Sequence, residues 1–129
     1  MLRRRSDPLA RQAVLAVAAG RIAVGSAALL ATRPALRGLG FAETDSSGNA
    51  LAKLAGGRDV ALGVATIAVR DDPRALRAAA LAAALLDSAD AITFALAGAD
   101  PDTRDAGIRG VLSGGAAAAL GLWAWRRLG

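Results

Sequence analysis

The sequence predicts an all-α protein, a bundle of four transmembrane helices with both termini in the cytoplasm. Three observations carry this. Four apolar stretches run over 9–31, 50–69, 76–96 and 107–125, each about 20 residues, the length that spans a ~30 Å hydrocarbon core. Basic residues collect on alternate sides of those stretches. The chain is 54% hydrophobic but only 3% aromatic, so its apolar residues are mainly Ala, Leu and Val. Small side chains let helix backbones approach in lipid, whereas a small soluble core draws on aromatics for area.

Each stretch has its own start signal. Ser6-Asp7-Pro8 precedes the first, Asp72-Pro73 the third and Asp100-Pro101-Asp102-Thr103 the fourth. A carboxylate or hydroxyl there accepts from free backbone N–H groups, and Pro lacks the donor it would waste. Ser46, Ser47 and Asn49 are the capping candidates for the second. None of the four alternates apolar and polar residues as a half-buried strand does. The longest connection is Thr32 to Asn49. Two readings of it stand: Leu36, Leu39 and Phe41 lie on the membrane surface with Glu43 to Asn49 in water, or the segment is a plain irregular loop.

Loop charges set the threading. Arg3, Arg4, Arg5 and Arg11 open the chain, Arg70, Arg74 and Arg77 follow the second stretch, and Arg126 and Arg127 end it. The other two loops carry Arg33 and Arg37, and Arg104, beside Glu43, Asp45, Asp100, Asp102 and Asp105. By the positive-inside rule both termini face the cytoplasm. Trp123 and Trp125, next to Arg126 and Arg127, are read as an interfacial anchor. The whole chain, 1–129, is then one multi-pass domain of a cell membrane, the inner membrane of a bacterium. Near-total use of Arg over Lys fits a GC-rich bacterial genome.

Two rival readings are weaker. Leu2 to Ala31 has the basic start and apolar middle of a signal peptide, but Arg21 interrupts it and three further stretches follow. A soluble Ala-rich bundle would show one apolar stripe per helix, and these stretches are apolar nearly all round.

Composition excludes much chemistry. With 0 Cys and 0 His there is no disulfide framework, no thiolate, no Ser–His or Cys–His catalysis, and no ordinary zinc, haem or iron–sulfur ligation. No catalytic residues, metal site or cofactor are assigned, and an enzyme is disfavoured. Net charge is +5 and the pI about 11.4, yet the bases flank apolar runs without aromatics for stacking, so nucleic acid is not an expected partner.

Five ionisable residues fall inside the stretches and call for an account: Arg21 in the first, Arg58 and Asp59 in the second, Asp87 and Asp90 in the third. Each costs about 2.5–3.5 kcal/mol at mid-membrane on insertion scales, so they are expected to face one another. All lie near the middle of their stretches, within roughly one helical turn of a common depth. Asp87 and Asp90 share a helix face. Arg21 shares one with Ala18, Gly25 and Ala28, and Asp59 with Gly56, Gly63 and Thr66, small neighbours of the kind found where helices touch. Two arginines against three aspartates leave one excess negative charge, which a single protonated aspartate, Asp87 or Asp90, would remove. In the fourth stretch Gly107, Gly110, Gly114 and Gly121 form a glycine face expected to pack against the charged helices. The cluster reads either as structural ion pairs that fix helix register or as a working site, a proton or ion relay or a polar pocket for a lipid or quinone headgroup.

These residues also carry a resemblance. Gly20-Arg21 with Arg33-Pro34, then Gly57-Arg58-Asp59 followed by Leu62-Gly63, then Asp87 and Asp90 in an Ala/Leu helix, together resemble an uncharacterised family of small four-helix membrane proteins, the DUF4267-like domain of unknown function, distantly similar to DoxX-like proteins. The resemblance covers about Leu9 to Trp125. It implies the four-helix fold and an unknown molecular role. Some DoxX-like proteins are linked to respiratory or redox complexes, but fold does not carry function, and the lack of Cys and His argues against direct redox chemistry.

The expected role is an accessory or structural membrane component, in contact with the bilayer and with a second copy or a partner membrane protein. Two alternatives remain open: a proton- or ion-coupled transporter acting as an oligomer, and a quinone- or lipid-binding subunit of a membrane enzyme complex.

Overall fold

The structure, a computed structural model, describes residues 7–129. Arg3, Arg4, Arg5 and Ser6, used above for threading and capping, lie outside the described residues. Among the described residues the fold is all-α, with no strand. The helices are α1 (Pro8–Leu30), α2 (Thr32–Leu39), α3 (Ser46–Ala68), α4 (Pro73–Ala97) and α5 (Arg104–Arg127), with a 3₁₀ turn at Pro101–Thr103 before the last.

Aspartate caps set most of the starts. Asp7 accepts from the Leu9 and Ala10 N–H groups, Asp72 from Arg74 and Ala75, each with Pro at the first helical position. Asp100 accepts from Asp102 and opens the 3₁₀ turn, so α5 begins three residues before the apolar stretch does. The start of α3 differs from expectation. Asp45 is its cap, accepting from Gly48, while Ser46 and Ser47 are already helical and Asn49 accepts from the Thr44 hydroxyl. The charged side chain wins because a carboxylate at a helix N-terminus gains from the dipole as well as the hydrogen bond.

The connection after α1 holds a helix and is not an irregular loop. α2 buries Leu36, exposes Arg33 and Arg37, and ends at Gly40, whose φ of 100° is a left-handed cap suited to glycine. Its last turn is held by α5: Arg109 donates to the Gly38 carbonyl at 2.8 Å. Phe41 meets Phe94 of α4 with ring centroids 6.5 Å apart.

The long helices pack as two antiparallel pairs, α1 with α3 and α4 with α5. In the first pair Gly25 and Gly56 face each other so closely that a Cβ on Gly56 would lie 2.7 Å from the Gly25 carbonyl oxygen. In the second, Gly107, Gly110, Gly114 and Gly121 all face α4, against Gly98, Phe94, Ala91 and Ala84 in turn. The glycine face thus meets one charged helix and neither α1 nor α3. The pairs join at the end of the bundle where the chain starts and finishes, through Ala10 and Val14, Leu76 and Ala80, and Ala124 and Leu128. The start of α1 and the end of α5 are therefore at the same end of the bundle. Arg11 reaches the α3–α4 turn there, donating to the Arg70 carbonyl and pairing with Asp71. Trp123 and Trp125 pack partly into this core, and the Arg77 guanidinium lies 5.0 Å from the Trp125 ring centroid. α3 and α4 scarcely touch.

Burial is inverted relative to a water-soluble bundle. The buried set is mainly Ala and Gly, with Val14, Leu36, Leu76 and Leu128 and the polar Thr66 and Asp87, and the largest fully buried side chain is Leu76. Large apolar side chains point outward on every long helix, among them Leu30, Leu54, Leu96 and Leu112.

Two helices, α1 and α4, are long and apolar enough to cross a membrane, with mean hydropathy 1.9 and 1.6. That is fewer than the four expected. α3 carries Lys53 as well as Arg58 and Asp59, and α5 carries Arg104, Asp105 and Arg109 within its first two turns. Arg11, Lys53, Arg77 and Arg109 also lie inside the stretches, nearer their ends than the five singled out above.

A Cβ on Gly63 would lie 2.6 Å from the Ala18 carbonyl oxygen and 2.6 Å from Ile22 Cγ1. Gly63→Ala is expected to destabilise the purified protein by about 1–3 kcal/mol through overpacking. Gly20→Ala, where nothing lies within 4 Å, is expected to be neutral or to stabilise by about 0.5–1 kcal/mol. Denaturant titration in mild detergent checks both.

Candidate functional site

The five charged residues converge between α1, α3 and α4. Their geometry is a ladder of alternating sign: Asp87, Arg21, Asp59, Arg58, Asp90. From α1, Arg21 donates one terminal nitrogen to Asp59 Oδ1 at 3.0 Å and the other to Asp87 Oδ1. From α3, Arg58 makes a two-point contact with Asp90, Nη1 to Oδ1 at 3.2 Å and Nη2 to Oδ2 at 2.6 Å. A longer contact of 3.5 Å from Arg58 Nη2 to Asp59 Oδ1 closes the series.

Local sequence explains why each member reaches the site. Arg58 and Asp59 are consecutive, so they leave α3 about 100° apart; Asp59 turns toward α1 and Arg58 toward α4. Asp87 and Asp90, three apart, stand one above the other on α4, and each finds a different arginine. Gly56 and Gly63 on α3 flank Asp59 and bring that helix close enough for Arg21 to reach it.

The ladder is graded in burial. Arg21 and Asp87 have side chains only 10% exposed, Asp59 21%, and the Arg58–Asp90 pair 37% and 34%. The inner end lies under the helix contacts and the outer end opens at the seam between α3 and α4. Asp90 has a guanidinium largely to itself, while Asp59 and Asp87 share Arg21, so the surplus negative charge of the ladder falls on the Arg21 bridge. The Nε atoms of Arg21 and Arg58 are buried without a hydrogen-bond partner.

A crevice with a volume of about 20 Å³ leads to the inner end. Its polar lining is Arg21, Thr66 and Asp87; the rest is chiefly alanine from α1, α4 and α5. That volume holds one water, and three polar groups are enough to bind it. Thr66 is the position at the site that sequence reasoning left out, and Arg109, which binds α2 and not the ladder, is another charge it passed over. A threonine one turn past Gly63 on the Asp59 face was the available signal for the first, and a charge inside an apolar stretch for the second.

The interface tryptophans and the α5 glycines lie away from the ladder, except that Gly114 faces the Asp87 carbonyl. Among the described residues no group of acidic side chains is arranged to hold a metal ion.

Comparison with known proteins turns on the same segment. Residues 18–125 match the family model of a domain of unknown function, DUF4267. The chain belongs to this family. The DUF4267 match spans all five ladder residues and α2, and it begins beyond Ala10 and Val14 of the terminal core. No curated protein and no solved structure matches the chain.

The ladder sets a clear order of mutational cost. Arg21→Ala strands the buried Asp87 carboxylate, leaves Asp59 only its longer contact with Arg58, and is expected to destabilise this DUF4267 domain by about 3–5 kcal/mol. Arg58→Ala leaves one carboxylate, Asp90, without its guanidinium at the more open end of the ladder and is expected to cost less than Arg21→Ala. Arg21→Ala combined with Asp87→Ala is expected to recover part of the first loss. Unfolding in detergent measures all three, and equal losses for Arg21→Ala and Arg58→Ala would contradict the graded burial.

Proposed function

We propose that this DUF4267 protein is a multi-pass membrane protein in which all four long helices cross the bilayer. Both termini face the cytoplasm, and the chain serves as an accessory or structural component that acts through helix contacts. One observation carries the reading: Leu, Ile and Val point outward on all four long helices, while Ala, Gly and the charged ladder lie inside. In water so much outward apolar surface drives association. In lipid it is the solvated surface, and the small inward residues are what close helix packing needs.

The same observation brings α3 and α5 across the bilayer although their hydropathy falls short. α3 exposes Leu51, Leu54 and Val64, and α5 exposes Ile108, Val111 and Leu112. The charges that depress the hydropathy of α3 are mostly paired internally. At 1.5 Å per residue, helices of 23 to 25 residues reach about 35 Å, enough to span. Charge supports the direction. Arg11, Arg70, Arg74, Arg77, Arg126 and Arg127 collect at the terminal end, and acidic residues dominate the opposite loops.

The ladder is then an interhelical lock. Each arginine has a carboxylate in hand, and every contact is to another member of the set. A proton- or ion-coupled carrier is the second reading, favoured by the ladder's place at mid-span, where transport sites lie, and by the crevice that opens toward Arg21 and Asp87.

The chain has 0 Cys, so single cysteines can be placed at will. Asp71→Cys and Ser47→Cys, expressed in intact cells, are expected to react oppositely with an impermeant maleimide. Ser47→Cys labels from outside and Asp71→Cys only after lysis. Recovery of the protein in the soluble fraction, or equal labelling of both sites in intact cells, would refute the topology.

A further inference from the structure

We infer that the seam between α3 and α4 is the interface for a second copy of this chain, placed by a twofold axis along the membrane normal. This deepens the membrane reading above and rests on it.

The seam is the one side where the unit is incomplete. α1 closes on α3 and α5 closes on α4, but α3 and α4 meet mainly through charged side chains. The outermost of these, Arg58 and Asp90, are 37% and 34% exposed at the middle of the span. No lipid headgroup reaches that depth, and an acyl chain offers neither donor nor acceptor. A charged pair left open to hydrocarbon is costly, whereas a polar partner covers it. Around the pair the surface is apolar. Leu51, Leu54, Ala61 and Ala65 share the Arg58 face of α3 by their spacing and are exposed, and Leu86 and Thr93 flank Asp90 on α4.

Charge complementarity selects the occupant. Seen from outside, the seam presents a cation on α3 and an anion on α4 at one depth. A second copy turned by 180° about the membrane normal keeps its depth and its orientation across the bilayer. It places its own α4 opposite the first copy's α3, so each Arg58 meets the other copy's Asp90, and the reverse. The surface is thus complementary to itself, which is the requirement for a closed twofold contact. The result is a four-membered ring of alternating charge in place of two isolated pairs.

The antiparallel run of α3 and α4 sets the register. Leu54 on α3 and Thr93 on α4 lie about one turn from the charged pair on the same side of it. Two differently tagged full-length chains, one carrying Leu54→Cys and the other Thr93→Cys, are co-expressed and oxidised in native membranes. A disulfide-linked heterodimer is expected, and Leu54→Cys paired with Leu112→Cys on the far side of the bundle is expected to give none. Native mass spectrometry of the unsubstituted chain in lipid nanodiscs is expected to show a dimer. Arg58→Ala with Asp90→Ala, which removes the ring without stranding a charge, is expected to weaken dimerisation at least tenfold while helix content is unchanged. A monomer in nanodiscs, or crosslinking through Leu112 but not through Leu54 and Thr93, overturns the inference. Fractionation with membranes separates the two levels. A membrane-bound monomer defeats the dimer alone, and a chain absent from membranes defeats both readings.

Discussion

The structure depends first on one guanidinium. Arg21 reaches from α1 to Asp59 on α3 and to Asp87 on α4, so a single side chain ties three helices at their midpoints. The planar fork of arginine suits this role, because its two terminal nitrogens point to different carboxylates at once. A lysine ammonium would be a point charge on a flexible stem. Everything at the ladder follows from that bridge. Asp59 is held by Arg21, Arg58 is left free to take Asp90, and the surplus negative charge stays at the buried end. The Coulomb attraction is strong in such a dry site, but so is the cost of bringing charges there. The ladder therefore specifies which helices meet, and at what register, more than it adds net stability.

Close approach is what makes the bridge short enough. The α1–α3 contact runs over facing glycines, Gly25 and Gly56, and over Gly63 against Ala18. On the other side the α5 glycines seat α5 against α4. With backbones so near, bulky side chains have no room between helices and point outward. The inverted burial, the alanine interior and the charged ladder are therefore parts of one packing solution. At the terminal end, where no ladder binds the pairs together, a small apolar core of Ala10, Val14, Leu76, Ala80, Ala124 and Leu128 does so.

Much of this was legible in the residues, and the parts that were not have physical causes. The four apolar stretches fall on α1, α3, α4 and α5, and Asp-Pro pairs stand at the starts of α1 and α4, while Asp100-Pro101 opens the 3₁₀ turn before α5. The start of α3 was misplaced because three polar residues compete for a cap, and only backbone geometry shows that Asp45 accepts the Gly48 N–H. α2 is not legible in the sequence because eight residues carry little pattern; it is held by Leu36 in the interior and by Arg109 on the Gly38 carbonyl, a contact far away in sequence. Hydropathy alone does not describe α3, since a sum over residues cannot tell that Arg58 and Asp59 face other charges.

By itself the sequence determined that five charged residues lie at one depth on three helices, because helical rise converts residue number into height. It also determined that the helices touch through small residues, because no other inward face is available to them. Which arginine takes which aspartate was decided only by the tertiary structure. Pairing depends on the rotation and separation of α1, α3 and α4, and for α1 and α3 those are set by glycine contacts between positions 31 to 45 residues apart. The same holds for the open seam between α3 and α4. A sequence shows which faces are apolar or charged, but only the packed helices show which of them remains uncovered.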